Sequence, residues 1–257
     1  MRLDAYLFCE KKFPSRTKSA EAIEKGLVEV NGKTIFKPSY DVDEKSVVTV
    51  TDNDEFVSNG GYKLEKAFRD FGISAEGLIF ADVGASTGGF TDCLLRHGAK
   101  KVYAVDVGES QLSNKLKDDD RVSVIDNFNA RNLNTEVLGG FVDGVTCDVS
   151  FISLTYVLGP ISDVLKSGGY AVTLLKPQFE CGKKELNKNG IVKSPKARLD
   201  CAVKIKEYAL SVGLTPIDFT CAPLKQGKNT EYLFLLKKGD FEPITDKKIS
   251  ETVLKSK

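Results

Sequence analysis

Ile79-Phe80-Ala81-Asp82-Val83-Gly84-Ala85-Ser86-Thr87-Gly88-Gly89-Phe90-Thr91 reads as a short apolar strand, a tight glycine turn and the start of a helix. Gly84, Gly88 and Gly89 permit a sharp turn and admit a ligand where a Cβ would clash. A helix starting near Phe90 aims unpaired N–H groups at that ligand. A dinucleotide loop reads G-x-G-x-x-G, whereas this one reads G-x-S-x-G-G, a poor phosphate cradle.

Further strands close on polar residues in the same way. Lys101-Val102-Tyr103-Ala104-Val105-Asp106 places a carboxylate about twenty residues past the turn, the spacing at which one grips ribose hydroxyls. Together these features suit an adenosine ligand without a diphosphate, such as S-adenosylmethionine; the plain alternative is an ordinary strand-loop-helix corner. Val122-Ser123-Val124-Ile125 closes on Asp126-Asn127, which can accept from an adenine amino group. Residues 144–151 form a fourth strand ending on Asp148. Residues 161–166 fit a helix stopping at Gly168-Gly169, and 171–175 a fifth strand. Pro177 ends that strand, leaving Lys176 at its carboxyl end. Ligands of open parallel sheets bind at that edge, where Asp82, Asp106, Asp126, Asp148 and Lys176 all fall. The expected cofactor-binding residues are Asp82, Gly84, Ala85, Ser86, Gly88, Gly89, Phe90, Asp106, Val107, Asp126 and Asn127.

Before the glycine stretch, Leu64, Ala67, Phe68 and Phe71 share one helix face. Lys63 lies beside it in the first turn, opposing the macrodipole. After the fifth strand comes a Gly/Lys-rich loop, 182–193, long enough to cover a substrate. A helix over 195–212 and strands at 215–220 and 232–236 follow; the short connection favours an antiparallel pair. Residues 239–257 are charged and stay unassigned.

The first fifty residues read as a separate unit, with two helices, a hairpin at Asn31-Gly32 and a third strand at 47–50. Lys11, Lys12, Arg16, Lys18, Lys25, Lys33 and Lys37 stand against Glu21, Glu24 and Glu29, a basic excess suited to RNA phosphates. A solvated charged face is the plain alternative. Arg2-Leu3-Asp4, Ser15-Arg16-Thr17, Ala20, Ile23, Gly26, Val28, Val30-Asn31-Gly32 and Lys37-Pro38 resemble the S-four (αL-type) RNA-binding domain. Residues 51–57 read as the linker and 58–238 as the larger domain.

Composition excludes several classes. With 257 residues and a net charge of +1, RNA affinity must come from local patches. Six cysteines without a C-x-x-C pair suit a reducing, cytoplasmic setting and argue against a zinc site. No signal peptide or membrane-length apolar run is present.

Five motifs make the resemblance specific: Ser58-Asn59-Gly60-Gly61-Tyr62-Lys63-Leu64, Asp82 to Thr91, Asp148-Val149-Ser150-Phe151-Ile152-Ser153, Lys176-Pro177-Gln178-Phe179-Glu180 and Asn229-Thr230-Glu231-Tyr232. The chain resembles the TlyA (hemolysin A) family of ribosomal RNA 2′-O-methyltransferases. That resemblance implies an α/β, Rossmann-like seven-stranded methyltransferase sheet whose last strand is antiparallel, behind an S-four domain. It implies S-adenosylmethionine as cofactor, ribosomal RNA or ribosomal subunits as partner, cytidine as target, and no metal or membrane. The family's Lys-Asp-Lys-Glu tetrad falls on Lys63, Asp148, Lys176 and Glu231. Members often carry serine-arginine before the paired glycine, whereas this chain has Ser58-Asn59.

A ribose hydroxyl is a poor nucleophile and must be held in line with the methyl group while it loses its proton. Neutral lysine can take that proton once its reference pKa of about 10.4 falls, as a second lysine and partial burial favour. Lys176 is expected as base or hydroxyl orienter, Lys63 as the group positioning substrate, and Asp148 and Glu231 as their orienters. Amino-group methylation calls for an Asn/Asp-Pro-Pro-aromatic motif that is missing here. Cys147 reads as core rather than as the nucleophile of carbon methylation, and His97 as a helix cap. Two other classes stay open: an RNA-binding assembly factor with a vestigial pocket, and the membrane lysis that the hemolysin name suggests. The first would be marked by loss of the tetrad, the second by an apolar or amphipathic membrane segment.

Overall fold

The computed structural model describes residues 1–13, 15–24, 26–43, 45–50, 56–223 and 227–256, and the chain divides into two units, Met1–Glu55 and Phe56–Lys257. In the first, helices α1 (Leu3–Cys9) and α2 (Arg16–Glu24) share a core with strands β1 (Val28–Val30), β2 (Lys33–Thr34) and β3 (Val48–Val50). The strands pair antiparallel in the order β2-β1-β3. Asn31 (φ 53°) and Gly32 (φ 74°) both take the left-handed conformation that a two-residue hairpin requires. Strand β2 spans two residues, and Ile35 just beyond it still donates its N–H to Val28 O at 2.9 Å while its side chain enters the core.

The second unit runs α3 (Asn59–Phe71), β4 (Ile79–Val83), α4 (Gly89–Arg96), β5 (Lys101–Val105), α5 (Asn114–Lys117), β6 (Val122–Ile125), β7 (Val142–Cys147) and α6 (Leu158–Val164). It continues through β8 (Leu165–Leu175), α7 (Pro177–Glu180), α8 (Pro195–Ser211), β9 (Leu214–Cys221), β10 (Tyr232–Lys238) and α9 (Asp246–Lys255). Among the described residues these strands form one seven-stranded sheet, β6-β5-β4-β7-β8-β10-β9. β4 to β8 pair in parallel, and β10 runs antiparallel to both β8 and β9.

Successive strand residues point to opposite faces, so one sheet supports two cores. Phe80, Val102, Val172 and Leu174 meet Leu64, Phe68, Phe90 and Leu94 of α3 and α4 on one face. On the other, Ala81, Val83, Val145 and Phe234 meet Leu158 and Ile161 of α6, Ala202 and Ile205 of α8, and Ile249 and Val253 of α9. β4, β5, β7 and β8 therefore end along one edge, where the loops that follow them gather.

Several expectations are corrected. Phe56 and Val57 belong to the second unit rather than to a linker: both pack on the α3/α4 core, and Val57 N–H donates to Asp92 Oδ2 at 2.9 Å. Residues 51–55 lie outside the described residues. Gly168-Gly169 does not end a helix; α6 stops at Val164 and β8 runs through both glycines, with a register shift where it pairs with Val142 and Gly144. β7 stops at Cys147, so Asp148 stands one residue beyond the strand. The unassigned tail contains α9, capped by Thr245 and tied by Ser256 to the buried Tyr232 hydroxyl at 2.7 Å.

Candidate active site

The turn after β4 is held by backbone geometry. Gly84 sits at φ +81°, and a Cβ there would lie 2.8 Å from the Asp148 carbonyl oxygen. Asp148 N–H donates to Val83 O at 2.9 Å, so the β4–β7 ladder carries on far enough to press Asp148 against this glycine. Gly88 (φ +95°) then caps the start of α4. Ala85, Ser86, Gly89 and Phe90 line the cavity of about 180 Å³ that opens here, and Asp148, Ser150 and Lys176 close its other side.

Lys176 is 8% exposed and precedes α7, whose first residue, Pro177, lacks the N–H that would go unpaired there. Its Nζ lies 2.5 Å from Asp148 Oδ1 and donates to Ser150 Oγ at 2.7 Å. Lys63, on α3, places Nζ 2.7 Å from Glu231 Oε2 and 3.6 Å from Asp148 Oδ2. Glu231 stands immediately before β10, whose Tyr232 is in register with Leu175, the residue before Lys176. The four expected residues thus form a chain of alternating charge, Glu231–Lys63–Asp148–Lys176. Their side chains are 10–21% exposed, so each group is solvated chiefly by its neighbours in the chain.

Glu180 fixes this corner from behind. Its carboxylate accepts from Ser153 Oγ at 2.6 Å and from Leu154 N–H at 2.7 Å, tying α7 to the loop that carries Asp148 and Ser150. Burial pushes its pKa up against those bonds. Glu180 and Ser150 belong to two of the sequence motifs, but only their side-chain partners reveal what they do.

The remaining expected positions separate into two groups. Asp106, past β5, accepts from Ser86 N–H (2.7 Å) and Gly108 N–H (2.8 Å), fastening the glycine loop to the neighbouring strand end. Asp126 accepts from Ser110 N–H at 3.0 Å, Asn127 takes φ +56°, and Val107 is 73% exposed. Asp82 differs from the others. It is closed to solvent, and its oxygens accept from Thr91 Oγ1 (2.7 Å) and Thr146 Oγ1 (2.9 Å). Desolvation pushes its pKa to about 6. Asp82 ties α4 and β7 to β4, and is a strut inside the corner rather than a group on its surface.

Other cysteine and histidine positions behave as structure. Cys147 is fully buried, and burial pushes its thiol up to about 12. His97 is the C-cap of α4, bonded to Glu65 Oε2 at 2.7 Å and stacked on Phe68. Among the described residues, Glu65, Cys93 and His97 bring ligand-type atoms within 4.8 Å of one another. Burial pushes the Cys93 thiol up, away from the thiolate a metal needs.

One residue of the loop after β7 stands in a sequence motif without an assigned role. Phe151 is 86% exposed at φ +66°, its ring 5.1 Å from that of Phe179. A bulky side chain held in the left-handed region stores strain of about 1 kcal/mol or more, a mark of functional positions. No sequence signal announces that backbone angle.

In the first unit, Lys11, Lys12, Lys18, Lys33 and Lys37 are exposed; Lys25 lies outside the described residues. Lys18 pairs with Glu21 at 2.6 Å. Arg16 Nε lies 3.2 Å from Asp4, which also takes Arg2; that Arg2 bond holds the Asp4 carboxyl at about 2. Arg16 therefore braces α1 against α2 as well as facing solvent.

Residues 56–239 match the FtsJ-like methyltransferase model, and residues 1–48 match the S4 domain. The chain belongs to the TlyA (hemolysin A) family. It is 43% identical to hemolysin A of Brachyspira hyodysenteriae, across 91% of this chain and 98% of that protein. The 16S/23S rRNA (cytidine-2′-O)-methyltransferase TlyA of Mycobacterium tuberculosis is 36% identical across 98% and 95%. A solved Streptococcus thermophilus protein, provisionally described as a hemolysin, superposes with a TM-score of 0.76 at 35% identity, over 100% of this chain and 95% of that one. The family thus combines an RNA-binding type of domain with a methyltransferase sheet. No helix among the described residues is long and apolar enough to cross a membrane.

Proposed function

We propose that the chain transfers the methyl group of S-adenosylmethionine to the 2′-hydroxyl of a ribose, a cytidine in ribosomal RNA as the curated TlyA relatives do. The observation that carries this reading is the position of the tetrad between two cavities. Asp148 and Lys176 line the glycine corner, while Lys63 and Glu231 line a separate cleft of about 810 Å³. The 3.6 Å pair between Lys63 and Asp148 joins the two. A hydroxyl entering from the cleft meets the tetrad before it reaches anything held in the corner.

The residues present fit the cofactor. Each Asp106 oxygen accepts one backbone bond and keeps capacity for a ribose hydroxyl. Asp126 and Val107 extend that edge toward an adenine. When bound, S-adenosylmethionine supplies an electrophilic methyl group. Lys176, fixed by Asp148 and Ser150, orients the hydroxyl, and it takes the hydroxyl proton only in its neutral form, once its own ammonium proton has passed to solvent; Lys63, fixed by Glu231, holds the ribose. Such positioning is worth several kcal/mol, up to about 10. Phe151, exposed three residues after Asp148, offers a ring on which an unpaired base can stack. The exposed lysines of the first unit supply phosphate contacts.

The test is transfer of labelled methyl groups to purified ribosomal subunits, followed by mapping of the modified nucleotide. A label on a ribose oxygen supports the reading; a label on a base, or none with intact substrate and bound cofactor, overturns it.

A further inference from the structure

Helix α3 carries two faces with different work. Leu64, Ala67 and Phe68 are buried against the sheet. Tyr62, Lys66 and Arg69 stand at i, i+4 and i+7, a single stripe along the side that lines the 810 Å³ cleft. Lys228, Asn229 and Gln178 line it as well. Its inner end is Lys63 and Glu231.

The charge of this cleft is uneven for so balanced a chain. Lys63, Lys66, Arg69 and Lys228 line it against Glu65 and Glu231, while the whole protein carries only +1. Lys66 is engaged by Asp70 at 2.5 Å, and Asp70 also accepts from Thr220 Oγ1 at 2.6 Å. Arg69 touches the same carboxylate only at 3.5 Å and is 70% exposed. Lys228 is exposed too. Those two cations are the ones placed to meet an external anion. Tyr62, one residue before Lys63 on α3, is 42% exposed, its ring set edge-to-face on Phe56 at 5.1 Å. Asn229 is pinned by Val192 N–H (2.9 Å) and by its own bond to Gly190 O (2.9 Å), so the opposite wall is preset.

The geometry points to this cleft as the track for the single-stranded RNA flanking the target nucleotide, with Tyr62 stacking a neighbouring base and Arg69 and Lys228 holding phosphates. Cations that follow a backbone and an aromatic ring that accepts any base are the combination that grips single strands. The assignment rests on the proposed reaction for its occupant. It adds the direction in which the strand leaves the tetrad: along α3, from Lys63 toward Arg69.

The experiment uses the full-length chain, ribosomal subunit RNA as probe, and the variants Arg69→Ala, Lys228→Ala, Tyr62→Ala and, as control, Lys247→Ala on exposed α9. RNA affinity is measured over a series of salt concentrations, KM for RNA in the transfer assay, and S-adenosylhomocysteine affinity by titration. Each cleft variant is expected to raise the RNA KM about tenfold with cofactor affinity unchanged. The two cation variants also flatten the salt dependence by about 0.7 in log–log slope, which a merely structural lesion does not do. Lys247→Ala leaves both quantities in place. Transfer by the wild type together with unchanged KM and slope in Arg69→Ala and Lys228→Ala overturns the cleft assignment and keeps the reaction. A wild type that binds RNA through Arg69 and Lys228 yet transfers no methyl group overturns the reaction and keeps the cleft.

Discussion

Replacing Lys176 with alanine removes one link of the alternating chain and can be followed through the structure. The Nζ contacts at 2.5 Å with Asp148 and 2.7 Å with Ser150 disappear. Asp148 keeps Lys63 at 3.6 Å, and its side chain is 19% exposed, so it is not left as a stranded charge. The stability loss should therefore stay below the 3–5 kcal/mol that follows breaking a fully buried pair. The chemical step loses a positioned proton acceptor, an effect of about 10²–10⁴ in rate, or about 3–5 kcal/mol in the barrier. The assay is single-turnover methyl transfer with saturating ribosomal subunits, run beside S-adenosylhomocysteine titration and thermal unfolding. Transfer should fall at least about 100-fold while cofactor affinity shifts by less than about twofold. Lys176→Arg keeps the charge but not the point contact, and should not restore the rate. A Lys176→Ala enzyme within about fivefold of wild type would refute the role; so would one that lost cofactor binding along with transfer.

The buried Asp82 gives a pH test. Its native pKa of about 6 stands above the unfolded value of 3.8, so the folded state holds the proton longer. Its contribution is full below about pH 4 and is lost as pH rises through about 6, by about 3 kcal/mol in all. Asp82→Asn cannot titrate, so its stability relative to wild type should improve from pH 4 to 7 in urea unfolding; parallel profiles would contradict the assignment. Gly84→Ala puts a methyl against the Asp148 carbonyl at 2.8 Å and strains a φ of +81°, and should cut transfer strongly by displacing Asp148; a kinetically silent variant would show that this approach is dispensable. Asp106→Ala should weaken S-adenosylhomocysteine binding about tenfold or more, both by losing a ribose acceptor and by freeing the Ser86 loop. Unchanged affinity in titration would exclude both effects.

Much of this architecture was legible in the residue order because β4, β5 and β6 are short, largely apolar runs with a carboxylate near or just past their ends. The tetrad lay in the motifs, but its alternation of charge did not, since it depends on residues 63, 148, 176 and 231 meeting at one edge. Asp82 misled for a physical reason. A carboxylate closing a strand looks like a ligand for solvent-borne groups, and only the distant Thr91 and Thr146 reveal that it faces inward. Gly168-Gly169 misled because paired glycine is a common stop, while a register shift lets a strand absorb it. Helix α9 went unread because its buried contacts reduce to Ile249 and Val253, too few apolar positions for a periodic signal.

The reversed direction of β10 has a consequence for how this site can vary. Every other member of the charged edge departs from a strand or rides on a helix, whereas Glu231 arrives on incoming chain, delivered by the pairing of Tyr232 with Leu175. A slip of one residue in that pairing would carry the carboxylate about 3.4 Å and turn it to the far side of the sheet. Insertions between β9 and β10 are thus tolerable only while this one alignment survives, which makes hydrogen-bond register, rather than loop length, the quantity that natural variation must preserve.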